Sequence, residues 1–178
     1  MSGRRQMFVP AQRLSDNLTV MKRLLLCLLL LMSALAVRAE SIVMIVRHAE
    51  KASREGDDPS LSEAGRARAE TLLRMLRDSE ISAIFTTEFK RTKETAAPTA
   101  IALKITPTVV RATETATLAA KLREVHGNAL VVAHGNTIPD LIRALGIAVP
   151  VSIPENDYGH FFIIALGDQP RLLRMCYP

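Results

Sequence analysis

Two imidazoles and two guanidiniums set the chemistry that this chain can attempt. Arg47-His48-Ala49-Glu50-Lys51 puts a fixed cation beside a nitrogen nucleophile whose ordinary pKa is near ~6.5. In Thr87-Glu88-Phe89-Lys90-Arg91-Thr92-Lys93-Glu94-Thr95, Arg91 falls early in an expected helix. From there its guanidinium reaches back to the helix N-terminus, where an anion is favoured. His134-Gly135-Asn136-Thr137 adds a second imidazole, a glycine that lets backbone approach a ligand, and a helix start with free N–H groups. Singly, each stretch has an ordinary reading: a satisfied buried histidine, a solvated basic face, a common turn. Together they describe a nucleophile and its cations gathered around one oxyanion.

That gathering requires a particular order of elements. Ser41–Val46 is a short β-branched run suited to a strand buried on both faces. A polar loop from Lys51 to Pro59 leads to a helix opened by Ser60 or Ser62. Leu61, Ala64, Arg68 (through its stem), Leu72, Met75 and Leu76 keep helical spacing along it to Arg77. Strands are expected at Ile81–Thr86, Ile105–Val110, Ala129–Ala133, Phe161–Leu166 and Leu172–Cys176. Helices are expected at Glu88–Leu103, interrupted or bent at Pro98, at Thr115–His126, and at Ile138–Leu145. Strands alternating with helices imply parallel pairing, and functional groups then collect outside the strands' carboxyl ends. His48, Thr87, Glu114 and His134 follow the first four strands, so all four should share one sheet edge.

Composition agrees with one globular α/β domain. The 178 residues are 48% hydrophobic, which excludes disorder, while 8 Gly and 2 Cys exclude collagenous and disulfide-dense scaffolds. The net charge of +5 is local: residues 1–39 carry Arg4, Arg5, Arg13, Lys22, Arg23 and Arg38 against Asp16 alone. Taking these 6 of 23 bases and 1 of 18 acids away leaves 17 of each in residues 40–178, so nothing supports nucleic-acid binding. From Met21, Lys22-Arg23, the apolar run Leu24–Val37 and the small residue Ala39 read as a secretory signal peptide cleaved before Glu40. The run is shorter than the roughly 20 residues of a spanning helix, so no stable membrane anchor is expected after cleavage. The expected organisation is 1–20, a misassigned or disordered extension; 21–39, the signal; and 40–178, a single domain, periplasmic or secreted. Cys27 would leave with the signal, and Cys176 alone cannot form an intramolecular disulfide.

At VRHAEK (46–51), LSEAGRARA (61–69), TEFKRTKETA (87–96) and VVAHGNT (131–137) the chain resembles the histidine phosphatase superfamily. Ala49-Glu50, where mutases carry glycine after the histidine, resembles its short phosphatase branch. The resemblance implies a phosphoglycerate-mutase-like fold, a three-layer α/β sandwich whose mainly parallel sheet is flanked by helices. It implies a phosphomonoester hydrolase with His48 as the phosphorylated nucleophile, and a phosphate pocket of Arg47, Arg91 and His134, with Asn136 as a further candidate. The chemistry suits these groups: phosphoryl transfer needs positioning and cationic stabilisation of equatorial oxygens, and no metal or other cofactor. For the proton donor, the resemblance implies an acidic residue after the third strand, and Glu114 is the only carboxylate between Glu94 and Glu124, with Asp157 in reserve.

Glu50 and Lys51 are expected to pair on the surface, Asn136 to cap the following helix, His126 to complement a helix end, and His160 to be structural. A zinc hydrolase is a competing reading, since His48-Ala49-Glu50 imitates half of a deaminase motif, but the Pro-Cys-x-x-Cys half is absent. A non-catalytic phosphoryl-ligand-binding protein and a phosphomutase remain as alternatives. Short loops favour hydrolysis in an open pocket, on a phosphorylated small molecule, envelope sugar or phosphoprotein.

Overall fold

β1 (Ser41–Arg47) lies inside a six-stranded sheet and its side chains alternate between two cores. The computed structural model describes residues 20–23, 25, 40–52, 56 and 58–178. The chain divides into units Met1–Arg38 and Ala39–Pro178, and the elements named here belong to the second. The signal expected at 21–39 lies outside the described residues apart from 21–23 and 25, as does the extension at 1–20 apart from Val20.

The other strands are β2 (Ile81–Thr86), β3 (Thr108–Val109), β4 (Asn128–Ala133), β5 (His160–Leu166) and β6 (Arg171–Cys176). Their order is β3-β2-β4-β1-β5-β6. The first four are parallel, while β5 pairs antiparallel with β1 and β6 antiparallel with β5, so the sheet is mixed. Helices α1 (Glu63–Leu76) and α2 (Lys90–Leu103) pack on one face, where Leu72, Leu76, Ala96 and Ala100 meet Met44 and Val46. Helices α3 (Thr115–Glu124) and α4 (Ile138–Ala144) cover the other, where Leu118, Leu122, Leu141 and Ile142 meet Val43 and Ile45. These are the three layers of the expected α/β sandwich.

Several boundaries differ from expectation for identifiable reasons. The third strand has two residues instead of six. Ile105 N–H is spent closing α2 on the Ala100 carbonyl, and Lys104 turns left-handed (φ 56°). Pro107 then has no N–H to offer, so pairing starts only at Thr108. Nor does Pro98 interrupt α2, which continues to Leu103, anchored by buried Thr95, Ala96, Thr99 and Ala100. The helix begins at Lys90 because the Asp58 carboxylate, outside it, accepts the Lys90 N–H at 2.8 Å. α3 stops at Glu124, two residues short of His126, as Val125 turns extended.

Candidate active site

The carboxyl ends of β1, β2 and β4 open onto a cleft of about 550 Å³. Arg47, His48, Lys51, Glu88, Phe89, Arg91, His134, Gly135 and Asn136 are among the residues that line it. His48 leaves β1 with its N–H on the Ala133 carbonyl of β4 at 2.9 Å. Ala49 N–H then donates to Thr95 Oγ1 at 2.9 Å, which ties the loop after His48 to α2. On the far side of that loop Gly65 meets the Glu50 backbone so closely that a Cβ there would run into the Glu50 carbonyl.

These contacts orient the His48 ring. Its Nδ1 lies 2.8 Å from the Ala49 carbonyl oxygen, and a carbonyl only accepts, so Nδ1 carries the proton and the Nε2 lone pair is free. Burial, with the charges of His134, Arg91 and Arg47 behind it, outweighs that hydrogen bond and lowers the imidazole pKa to about 3. The His134 ring stands 5.3 Å away, centroid to centroid, inclined at 62°. Its Nε2 donates to Thr87 Oγ1 at 3.0 Å, while Nδ1 faces Arg91 Nη2 at 3.5 Å and accepts from it. Burial first, then Arg91 and Arg47, brings the His134 pKa to about 4. In the free protein both rings are therefore neutral at ordinary pH.

Neither arginine is solvated. Arg91 is 14% exposed at its side chain, stacks 4.2 Å above the Phe89 ring, and has Asp58 Oδ1 3.7 Å from Nη1. Burial lowers its pKa against the raising influence of Asp58 and Glu88, but a guanidinium stays charged. Arg47 is 7% exposed and donates from Nη1 to the carbonyls of Pro154 and Asp157. The Nε atoms of both arginines are buried with no partner among the described residues, and leaving such donors unmet is costly. A tetrahedral oxyanion between the two histidines is the ligand class that such groups suit.

Of the residues singled out from the sequence, the structure thus brings Arg47, His48, Arg91, His134 and Asn136 to one cleft. Glu114 is exposed at the N-cap of α3 and is not among the lining residues, whereas Glu88 and Glu155 are. Asp157 is engaged elsewhere: its Oδ2 is 3.1 Å from His160 Nε2 and its Oδ1 accepts the Gly159 N–H. Glu50 pairs with Arg68 at 2.8 Å instead of Lys51, because Arg68 on α1 faces the loop while Lys51 faces the cleft. Asn136 does not cap α4, since Thr137 holds that place. His126 lies past the end of α3, exposed, with its carbonyl taking the Ser82 hydroxyl. Among the described residues no three of His, Cys, Asp and Glu are grouped as metal ligands.

Three contributors carry no role that the sequence assigned to them. Thr87 was placed at the correct strand end, but its bond to His134 is a tertiary contact. Phe89 and Tyr158 form the faces on which the two guanidiniums rest, at 4.2 Å and 4.3 Å. For Phe89, an aromatic two residues before Arg91 was the available signal. Tyr158, in a stretch without periodicity, offered none.

A family model described as the histidine phosphatase superfamily (branch 1) matches residues 43–113, which include Arg47, His48 and Arg91 and end before His134. No curated protein sequence matches significantly. Among solved structures, mycobacterial glucosyl-3-phosphoglycerate phosphatase in complex with VO3 is similar at 17% identity and TM-score 0.62, over 76% of this chain and 98% of that one. The same enzyme with inorganic phosphate is similar at 16% identity and TM-score 0.61, over 76% and 96%. The protein histidine phosphatase SixA complexed with tungstate is similar at 18% identity and TM-score 0.59, over 76% and 96%. Likeness at these identities is likeness of fold. The matched segment makes residues 43–113 similar to the histidine phosphatase superfamily, and the fold of the whole domain agrees with that likeness.

Proposed function

We propose that this domain is an exported, metal-independent phosphomonoester hydrolase that works through a phosphohistidine on His48. The observation that carries the reading is the His48 ring: Nδ1 is pinned to Ala49, and Nε2 is unprotonated in a cleft lined by two arginines. Arg47, Arg91, His134 and Asn136 bind the phosphoryl oxygens. His48 Nε2 attacks phosphorus as the bond to the leaving oxygen breaks, and that oxygen takes a proton. Water then attacks the phosphohistidine, the P–N bond breaks, and inorganic phosphate leaves a neutral imidazole behind. Glu88 takes the proton-donor role expected of Glu114, because its carboxylate lines the cleft while Oε2 is held by the Ala112 N–H at 2.9 Å.

The similar solved proteins bear names with different substrates, a glucosyl phosphoglycerate and a phosphorylated protein. For this chain the substrate class is a phosphorylated small molecule, envelope sugar or phosphoprotein, met outside the cytoplasm. Support for export is the sequence of 21–39, where Lys22-Arg23 precede the apolar run Leu24–Val37 and the small residue Ala39.

The test is to quench turnover and locate an acid-labile phosphoryl group. Label on His48, absent in His48→Ala, is expected, with turnover that survives EDTA. Label on a carboxylate or hydroxyl instead would overturn the mechanism. In the same assay Glu88→Gln should slow an alkyl phosphate about a hundredfold and an aryl phosphate far less, since a phenolate leaves without help.

A further inference from the structure

Arg47 is the last residue of β1, and its guanidinium is shared among three parts of the molecule. Nη1 is committed to the carbonyls of Pro154 (2.9 Å) and Asp157 (3.1 Å). One face of the plane rests on the Tyr158 ring at 4.3 Å. What remains for an anion is Nη2, which takes part in none of these bonds, while Nε beside it is buried with no partner among the described residues. Gly135 borders the same cation, and a Cβ there would lie in ordinary contact with it, 3.5 Å from Nε. Tyr158 also approaches His48, with ring centroids 6.0 Å apart.

Tyr158 is itself half-buried and does not line the cleft, so it acts through its neighbours. Its own backbone is held on the C-terminal side, where Gly159 donates to Asp157 Oδ1 at 3.0 Å and accepts the Tyr177 N–H at 2.9 Å. On the N-terminal side the same loop contributes Ile153 and Glu155 to the cleft wall. Arg47 therefore joins the phosphate position, the nucleophile and the wall that meets the leaving group.

We infer that Tyr158 is a positioning residue for the phosphate-binding edge of Arg47, locking the 150–158 loop to the oxyanion site. The inference rests on the reading of this cleft as a phosphate site. The ring supplies a rigid face for the cation and limits the rotamers of a long side chain, so its uncommitted donor is presented without reordering when the anion arrives. A neutral aromatic ring does this without competing for the anion, as a carboxylate partner would.

The experiment uses the full chain and measures inorganic phosphate affinity by calorimetry beside turnover of an aryl phosphate. Tyr158→Phe keeps the ring face and should bind phosphate within about twofold of wild type. Tyr158→Leu and Tyr158→Met remove the face and should weaken phosphate about tenfold, raising KM with a smaller change in kcat. Thermal melting of each variant shows that it is folded, and two replacements of different shape guard against one that is not. Leu and Met variants that melt cooperatively and keep wild-type phosphate affinity overturn the positioning role alone. A wild type that binds phosphate yet turns over no phosphomonoester overturns the hydrolase reading alone.

Discussion

At the residue scale the site works by withholding water from groups that prefer it. His48 and His134 are 4% and 6% exposed, and the cost of charging them in that setting keeps both neutral. In the proposed mechanism this serves His48, because only the unprotonated Nε2 can attack phosphorus. For His134 the same mechanism makes it a reserve: a bound dianion would offset the arginine charges and let Nδ1 take a proton toward a phosphoryl oxygen. The pH dependence follows. An ordinary imidazole would lose nucleophilicity below about 6.5, but the acid limb of kcat/KM is expected near 3, where His48 titrates. Turnover of an aryl phosphate should thus persist at pH 5, and an acid limb at the unperturbed value would contradict the burial argument. Stability has the same sign. Both folded pKa values lie below 6.5, so the unfolded chain binds more protons between about 3 and 6.5. Stability is full above that range and declines as pH falls through it.

At the element scale, strand ends choose which side chains can meet. β1 and β4 are paired in register from Val43↔Ala129 to Arg47↔Ala133, so His48 and His134 emerge side by side although 86 positions separate them in sequence. The tight passage is behind the nucleophile, where α1 approaches the loop. Ser62 caps α1 by accepting the Gly65 N–H at 3.0 Å, and Gly65 itself lies against the Glu50 backbone. Gly65→Ala cannot be absorbed by a flexible side chain, because the obstructing atom is a carbonyl two residues from His48. The substitution should cost about 1–3 kcal/mol in denaturant unfolding and at least about tenfold in kcat, by displacing the Ala49–Glu50 peptides. Unchanged kcat would mean that this loop does not set the nucleophile's position.

At the scale of the whole domain, the C-terminus closes the arrangement. Arg68 of α1 binds Glu50 and donates from Nη1 to the Tyr177 carbonyl at 3.2 Å, while Tyr177 N–H reaches Gly159 beside Tyr158. Burial would raise the Glu50 carboxyl, but the hydrogen bonds and charge of Arg68 prevail and hold it below its usual value. The nucleophile loop and the arginine-binding loop are thereby fastened to one buried aromatic, whose hydroxyl is pushed up to about 12 by burial. At the other end, Glu40 pairs with Arg171 at 3.1 Å, and β1 begins one residue later. Cleavage before Glu40 would leave every strand intact. Mass spectrometry of the protein recovered from outside the cytoplasm should therefore find a chain beginning at Glu40, and a recovered chain that retains the 21–39 segment would refute processing there.

The order of strands and helices, the buried strand β1 and the clustering of His48, Arg91 and His134 at one sheet edge were legible from the chain, because hydrophobic period and strand-end position are local properties. The mixed sheet direction at β5 and β6, the shortening of β3, the partnership of Glu50 with Arg68 and the aromatic faces under the arginines were not. Those depend on which side chains arrive at one place from distant parts of the chain, and neither the pattern around Tyr158 nor the spacing around Glu114 carries that information. Sequence alone determined which chemistry was available; tertiary structure decided which donors of Arg47 and which nitrogen of His48 are left free, since a proton or lone pair is available only where no neighbour has claimed it.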